Sequence, residues 1–245
     1  MGATGRAGIS VIVACYNEEK NIGQCLRRAM DAVPDAQLIV VHGGKDRTAD
    51  IAEDIARHHT RINVIRNKDD RGKGHAVKVG VENATHDVMV QLDADLQFMP
   101  EEIPKLVRPI LDGKADLAFG CRFMEESVVE NYKFSFFRTV GNHLVNWWIT
   151  LLGHQTFHDI TTGFKAWTRK AIQDIAFKDD RFIYEAEIAV RADLKGYRIA
   201  MVPITYSNRL GGISGHGRGW REPFSIIWTG AKILFFAPLI RLSLW

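Results

Sequence analysis

Five short, apolar, β-rich runs recur along the first half of the chain: Ile9 to Ala14, Leu38 to Val41, Ile62 to Ile65, Val88 to Leu92 and Leu117 to Phe119. Helix-like segments separate them, near Asn21 to Ala32, Thr48 to His59, Gly74 to Asn83 and Pro100 to Leu111. This alternation predicts an α/β fold built on a mainly parallel, doubly wound sheet flanked by helices. Ligands of such sheets bind beyond the carboxyl ends of the strands. The polar loops "CYNEEKN", "HGGKDRT", "NKDDRGKGHA" and "DADLQ" each follow one of the first four runs, so they are expected to converge on one edge.

With 245 residues, 46% hydrophobic and 25% charged, the chain has the length and composition of one large globular domain. A net charge of +3 gives no global field for nucleic acid, and no nucleic-acid partner is expected. Cys15, Cys25 and Cys121 are widely spaced and odd in number, which fits a reducing compartment. The first ten residues carry no apolar secretion signal.

After Cys121 the alternation gives way to the aromatic-rich "NYKFSFFRTVGNHLVNWWITLLG" and then "DITTGFKAW". A helix through "EAEIAVRADLKG" and a strand-like "YRIAMVPITYS" follow. Without a repeat or a low-complexity linker, this half reads as an elaboration of the same domain, with residues 1–220 as one unit and 221–245 as an apolar C-terminal segment. Phe134, Phe137, Val140, Leu144, Trp147, Trp148 and Leu151 fall near one broad helical stripe, suited to core or to a membrane interface. The tail "FSIIWTGAKILFFAPLIRLSLW" is apolar but interrupted by Lys232, Pro238 and Arg241, and reads as interfacial helices.

The chemistry begins at "VMVQLDADLQFMP". In an extended segment alternate residues share a side, so Asp93, Asp95 and Gln97 are expected to present oxygen atoms together. Two carboxylates can hold Mg²⁺ or Mn²⁺ and leave coordination positions for phosphate oxygens. "DDRGKGHA" sets Arg71 and Lys73 among Gly72 and Gly74 at a helix start, a combination suited to a diphosphate. Neither a dinucleotide glycine fingerprint nor a P-loop is present. Cys15 has no His partner in the nearby sequence and is not expected to act as a nucleophile.

Taken in order, "SVIVACYNEEKNI", "GKGHAVKVG", "VMVQLDADLQFMPEEIPKLV" and "FGCRF" resemble the inverting GT-A glycosyltransferases, most closely the polyprenyl-phosphate hexosyltransferases of the dolichol-phosphate mannose synthase type. The likeness runs from Ile9 to about "VPITYSNRLGGISG". It implies that Asp93, Asp95 and Gln97 bind a divalent metal, Mg²⁺ or Mn²⁺. It also implies that Tyr16, Glu18, Arg71, Lys73 and Ala94 belong with Asp93 and Asp95 to the sugar-nucleotide pocket. The second loop departs from the family: Val41 and His42 stand at the expected acidic positions, and Lys45 where a small polar residue is usual. His42 is then the candidate for the base or ribose, and Asp46 for a helix cap.

By the same resemblance, Arg122, Arg138 and Arg209 fall on the acceptor-phosphate site, with Asn142 near the same helix face, and act with Asp95 in catalysis. The family often carries a Lys after the Ser of "GGISGHGRG"; here His216 and Arg218 follow instead. A phosphate acceptor is already anionic near neutral pH and needs no catalytic base. The expected reaction is inverting, metal-dependent transfer of a hexose from a nucleotide sugar to polyprenyl or dolichyl phosphate, at the cytoplasmic face of a membrane. Mannose from GDP-mannose stands ahead of glucose from UDP-glucose, on closeness around "DADLQFMPEEIPKLV". One alternative is a hydroxyl acceptor, for which Asp159, Glu185 and Glu187 are candidate bases, each with a capping or ion-pairing role as the other option. Another is a catalytically silent, membrane-associated binding module.

Overall fold

The computed structural model describes residues 8–209 and 221–242. The five apolar runs form β1 (Ile9–Cys15), β2 (Gln37–His42), β3 (Ile62–Arg66), β4 (Val88–Asp93) and β5 (Leu117–Cys121). The intervening helices are α1 (Ile22–Ala32), α2 (Thr48–Ala56), α3 (Lys73–Asn83) and α4 (Ile103–Leu111). Most bounds agree within two residues, and two differ by three. The helix expected to reach His59 ends at Ala56, and Pro100–Glu102 form a separate 3-10 turn ahead of α4. The second half supplies β6 (Val128–Glu130), α5 (Phe136–Leu152), β7 (Lys165–Thr168), α6 (Arg169–Ile175), α7 (Tyr184–Leu194), β8 (Ile199–Pro203), β9 (Thr205–Ser207) and α8 (Arg221–Arg241).

Seven strands make one sheet in the order β3-β2-β1-β4-β7-β5-β8, and β6 pairs with β9 in a small second sheet. Every neighbour in the large sheet is parallel except β7, which runs antiparallel to both β4 and β5. Helices cover both faces, which is why the central strands read as continuous apolar runs. Within them the pleat still sorts side chains. Val11, Val13, Val40 and Val90 join α1 and α4 through Leu26 and Leu106, whereas Ile12, Ile39, Val41 and Met89 face Val77 of α3 and Ile188 of α7. Register aligns the ends, pairing Cys15 with His42 and Ala14 with Asp93, so the loops after β1, β2 and β4 leave the sheet at one level.

The aromatic stripe divides. Val145 and Ile149 of α5 are buried, and Trp148 Nε1 donates to Leu234 O of α8 at 3.1 Å. Phe136, Val140, Leu144, Trp147 and Leu151 are exposed on the outward side. Phe134 precedes the helix and stacks on Tyr206, so it belongs to neither face. The C-terminal segment is one helix that seats Ile233, Ala237 and Ile240 in the core, while Trp228 and Phe235 are exposed. Among the described residues no helix is long and apolar enough to cross a membrane.

Candidate active site

β4 delivers Asp93 at its last residue, and there the strand stops. Asp95 and Gln97 do not continue the extended alternation expected of them. Leu96 takes φ 60°, and Asp95 Oδ1 accepts from Gln97 N at 3.1 Å, so a side-chain-closed turn brings Asp95 beside Asp93. Gln97 Nε2 donates to Ser207 O at 3.3 Å and ties that turn to β9.

Basic groups hold both carboxylates. Lys73 Nζ lies 2.9 Å from each oxygen of Asp93, hydrogen-bonding Oδ2, and 3.1 Å from Glu185 Oε1. Burial alone would lower the Lys73 pKa, but the charges of Asp93 and Glu185 and the Tyr184 hydroxyl outweigh it and hold the ammonium well above its ordinary range. Arg209 spans Glu18 Oε1 at 2.8 Å and Asp95 Oδ2 at 2.6 Å. Burial, with the Asp93 charge behind it, raises the Asp95 pKa, and Arg209 opposes that rise. Burial also lifts Glu18 to about 7.

The first two loops brace each other. Asn17, at φ 56°, accepts from Lys45 N through Oδ1. Asp46 accepts from Thr48 N and Oγ1 and, through its other oxygen, from Glu19 N, so it caps α2 and fastens the two loops at once. His42 is buried at the end of β2 and burial lowers its pKa, leaving a neutral imidazole. Its Nε2 stands 3.3 Å from Asp46 Oδ1 without a hydrogen bond. Tyr16 is exposed at the rim. Burial raises the Cys15 pKa, in keeping with an inert thiol.

In the glycine loop the first amides of α3 are already bonded within the protein. Gly74 N and His75 N at the start of α3 donate to Arg181 O and Asp180 O, so the segment before α7 takes those amides. Gly72 has φ 129°, and a Cβ there would meet Asp180 O at 2.7 Å; the glycines permit this backbone approach. Arg71 is half-exposed and 3.1 Å from Asp180 on the outside of the same contact.

On the acceptor side, Arg122, Arg138 and Asn142 line one cavity together with Thr161, Phe182 and Glu185. Asp159, fully buried, binds Arg122 twice through the guanidinium, at 2.7 and 2.8 Å, and accepts from its backbone N at 3.0 Å. Removing one partner of such a buried pair costs about 3–5 kcal/mol. Thr161 Oγ1 joins Arg122 to Asn142, at 3.2 and 2.6 Å. The Arg138 guanidinium bonds the Tyr132 hydroxyl. Of the three candidate bases, Asp159 is spent on Arg122, and Glu187 on Arg191 and the amides of Lys178 and Asp179. Glu185 alone of the three lines the cavity.

Three neighbours of the site carry little local signal. Gly163 lies against Asp93 and Lys73, with no room for a Cβ. Its carbonyl accepts from Gln91 Nε2 at 2.9 Å. Lys165 is fully buried and donates to Ile160 O and Thr162 O, which fastens the 159–163 loop; burial lowers its pKa to about 8. The "TTGFK" spacing was the available clue. His216 and Arg218 lie outside the described residues.

The donor set suits a hard divalent ion. Asp93 Oδ1 is buried and accepts no hydrogen bond, Lys73 Nζ standing 2.9 Å from it as an ion pair, and Asp95 is beside it. Among the described residues no three His, Cys, Asp or Glu side chains converge on one point, so a ligand's phosphate oxygens would complete the shell.

Residues 10–175 match the family described as Glycosyl transferase family 2. The chain belongs to that family. This glycosyltransferase is 30% identical over 212 residues to a polyprenol monophosphomannose synthase of Mycolicibacterium smegmatis, covering 83% of this chain and 79% of that one. It is also 30% identical to a dolichol-phosphate mannosyltransferase of Pyrococcus furiosus, covering 84% of this chain and 58% of the relative. Among solved structures it superposes on glucosyl-3-phosphoglycerate synthase from Mycobacterium tuberculosis, crystallised with Mn²⁺, UDP and glucosyl-3-phosphoglycerate. There the TM-score is 0.69 at 19% identity, over 97% of this chain and 81% of that one. The last likeness bears on the fold: a GT-A-like sheet with helices on both faces.

Proposed function

We propose that this family 2 glycosyltransferase moves a hexose from a nucleoside diphosphate sugar to a polyprenyl phosphate, with inversion at the anomeric carbon. One observation carries the reading. The cavity lined by Arg122, Arg138 and Asn142 meets the Asp93–Lys73 pair through Glu185, so a cationic acceptor site adjoins the donor carboxylates. In the reaction, an acceptor phosphate oxygen bonds to the anomeric carbon as the carbon–oxygen bond to the nucleoside diphosphate breaks. The electron pair of that bond leaves with the diphosphate. No proton moves, because the attacking oxygen is already anionic.

The chain's own residues position the partners. Arg138 and Arg122 hold the acceptor phosphate, with Arg122 aimed by Asp159 and Asn142 held by Thr161. Tyr16, Glu18 and His42 border the nucleotide, and Lys73 faces the departing phosphates. Arg209, expected with the other two arginines, sits instead on Asp95 and Glu18 of the donor side and does not line the cavity of Arg122 and Arg138. When bound, Mg²⁺ or Mn²⁺ at Asp93, Asp95 and Gln97 supplies positive charge for the leaving group. The two relatives named for mannose support mannose over glucose as the hexose; GDP as its carrier is part of the proposal. The exposed apolar side of α5, on the helix that bears Arg138, supports work at a membrane surface.

The test is product formation. Purified protein with Mg²⁺ or Mn²⁺, a short-chain polyprenyl phosphate and a panel of GDP- and UDP-sugars is expected to give a hexosyl phospholipid by mass spectrometry. Asp95→Ala or Arg138→Ala should reduce it by about 100-fold or more. Transfer to soluble sugar hydroxyls that survives Arg138→Ala, with none to the phosphate, would overturn the reading.

A further inference from the structure

Glu185 occupies a place that an acceptor site for an anion would be expected to avoid. Its side chain is almost fully buried, yet it lines the cavity that also holds Arg122 and Arg138. Its position in the first turn of α7 favours a negative charge there. Both of its hydrogen bonds among the described residues fall on one oxygen: Oε1 accepts from Lys73 Nζ at 3.1 Å and from Tyr184 Oη at 3.4 Å. The other oxygen has no hydrogen-bond partner among the described residues, and the residue lines the cavity. A carboxylate only accepts hydrogen bonds, so its natural ligand is a hydroxyl or an amine, never a phosphate oxygen.

Geometry narrows the ligand. Lys73 touches Asp93 and Glu185 at once, so Glu185 stands one ammonium group away from the donor carboxylates. On its other side are Arg122 and Arg138. Whatever is transferred from the first set of groups to the second must pass through this point, and in the reaction proposed above that is the hexose ring. We propose that Glu185 recognises the donor sugar by accepting hydrogen bonds from its hydroxyl groups, and so sets which hexose is taken. This rests on the donor and acceptor assignment of the preceding subsection. The same site explains why an acidic group persists between two phosphate positions: Lys73 offsets its charge, and the sugar hydroxyls shield it from both.

Binding separates the sugar from the nucleotide. Titrations with Mn²⁺ present would compare UDP with UDP-glucose and GDP with GDP-mannose, in the unaltered protein, Glu185→Gln and Glu185→Ala, each checked for a cooperative thermal transition. Glu185→Gln keeps the shape and an oxygen for Lys73. The expected result is that Glu185→Ala weakens the nucleotide sugar about tenfold, and Glu185→Gln less, while the matching diphosphate stays within about twofold. Equal weakening of both ligands would mean that Glu185 acts only through Lys73, and overturns the proposal. Unchanged binding with lost transfer would place the carboxylate on the acceptor's side, which also overturns it. If the unaltered protein binds neither diphosphate, the donor assignment itself fails, and this inference falls with it.

Discussion

Glu18 shows how a single buried carboxylate makes the site sensitive to pH. Burial lifts it from an ordinary 4.5 to about 7, more than Asn21 and Arg209 pull it down. A raised acid binds its proton more tightly when folded, so its contribution to stability is full below pH 4.5 and is lost as pH rises toward 7. Glu18→Gln removes that loss. In urea melts, the stability gap between Glu18→Gln and the unaltered protein should open between about pH 4.5 and 7 and level off above it. A gap independent of pH would show that the carboxyl is not raised. At this scale the sequence was legible where chemistry is local. Asp93 and Asp95 are two positions apart, and their acidic spacing at the end of an apolar run announced them. Glu185 was only one of three candidate bases, because its partners Lys73 and Arg122 lie far off in the chain. Only the fold sorts it from Asp159 and Glu187.

Among the elements, the 159–163 loop has the most contacts with chemistry and the least regular structure. It sends Asp159 to Arg122, Thr161 to Asn142 and Gly163 against Asp93, with Lys165 fastening it from below. Gly163→Ala should push Asp93 and Lys73 aside. The expected outcome is donor binding weakened about tenfold or more with a smaller change in melting temperature, read by nucleotide titration and by thermal unfolding. The opposite pattern, a lost fold with intact affinity in the surviving protein, would refute the crowding. The strands of the nucleotide half were legible because both faces are covered and every residue of the run is apolar. β7 was not. Its four residues, "KAWT", are too short to show a period, and it begins with a lysine whose burial rests on two carbonyls that no local pattern reveals. For α5 the stripe was legible but its sides were not. An apolar helix with α8 behind it is apolar on both faces, and only the packing of Val145, Trp148 and Ile149 marks the inner one.

For the molecule as a whole, α5 and α8 pack on each other and expose Phe136, Val140, Leu144, Trp147 and Leu151 of the one and Trp228 and Phe235 of the other. Leu144→Asp with Leu151→Asp should abolish sedimentation with anionic phospholipid vesicles and leave the melting temperature within a few degrees. Ile233→Asp on the inner side should instead destabilise by about 3 kcal/mol or more, because it buries an unpaired charge. If the double variant still sediments fully, that flank is not the membrane contact. The antiparallel β7 has a consequence for how the chain is made. It fills the gap between β4 and β5 and is synthesised more than forty residues after β5 leaves the ribosome. Until then those two strands have unpaired edges, an invitation to pair with another chain. Asp93 meanwhile lacks Gly163 beside it and Arg209 near its neighbour. A nascent chain therefore joins β4 to β5 and sets Gly163 beside Asp93 in one step, with β8 and Arg209 following, and truncation before that step should yield a protein that aggregates rather than a smaller enzyme.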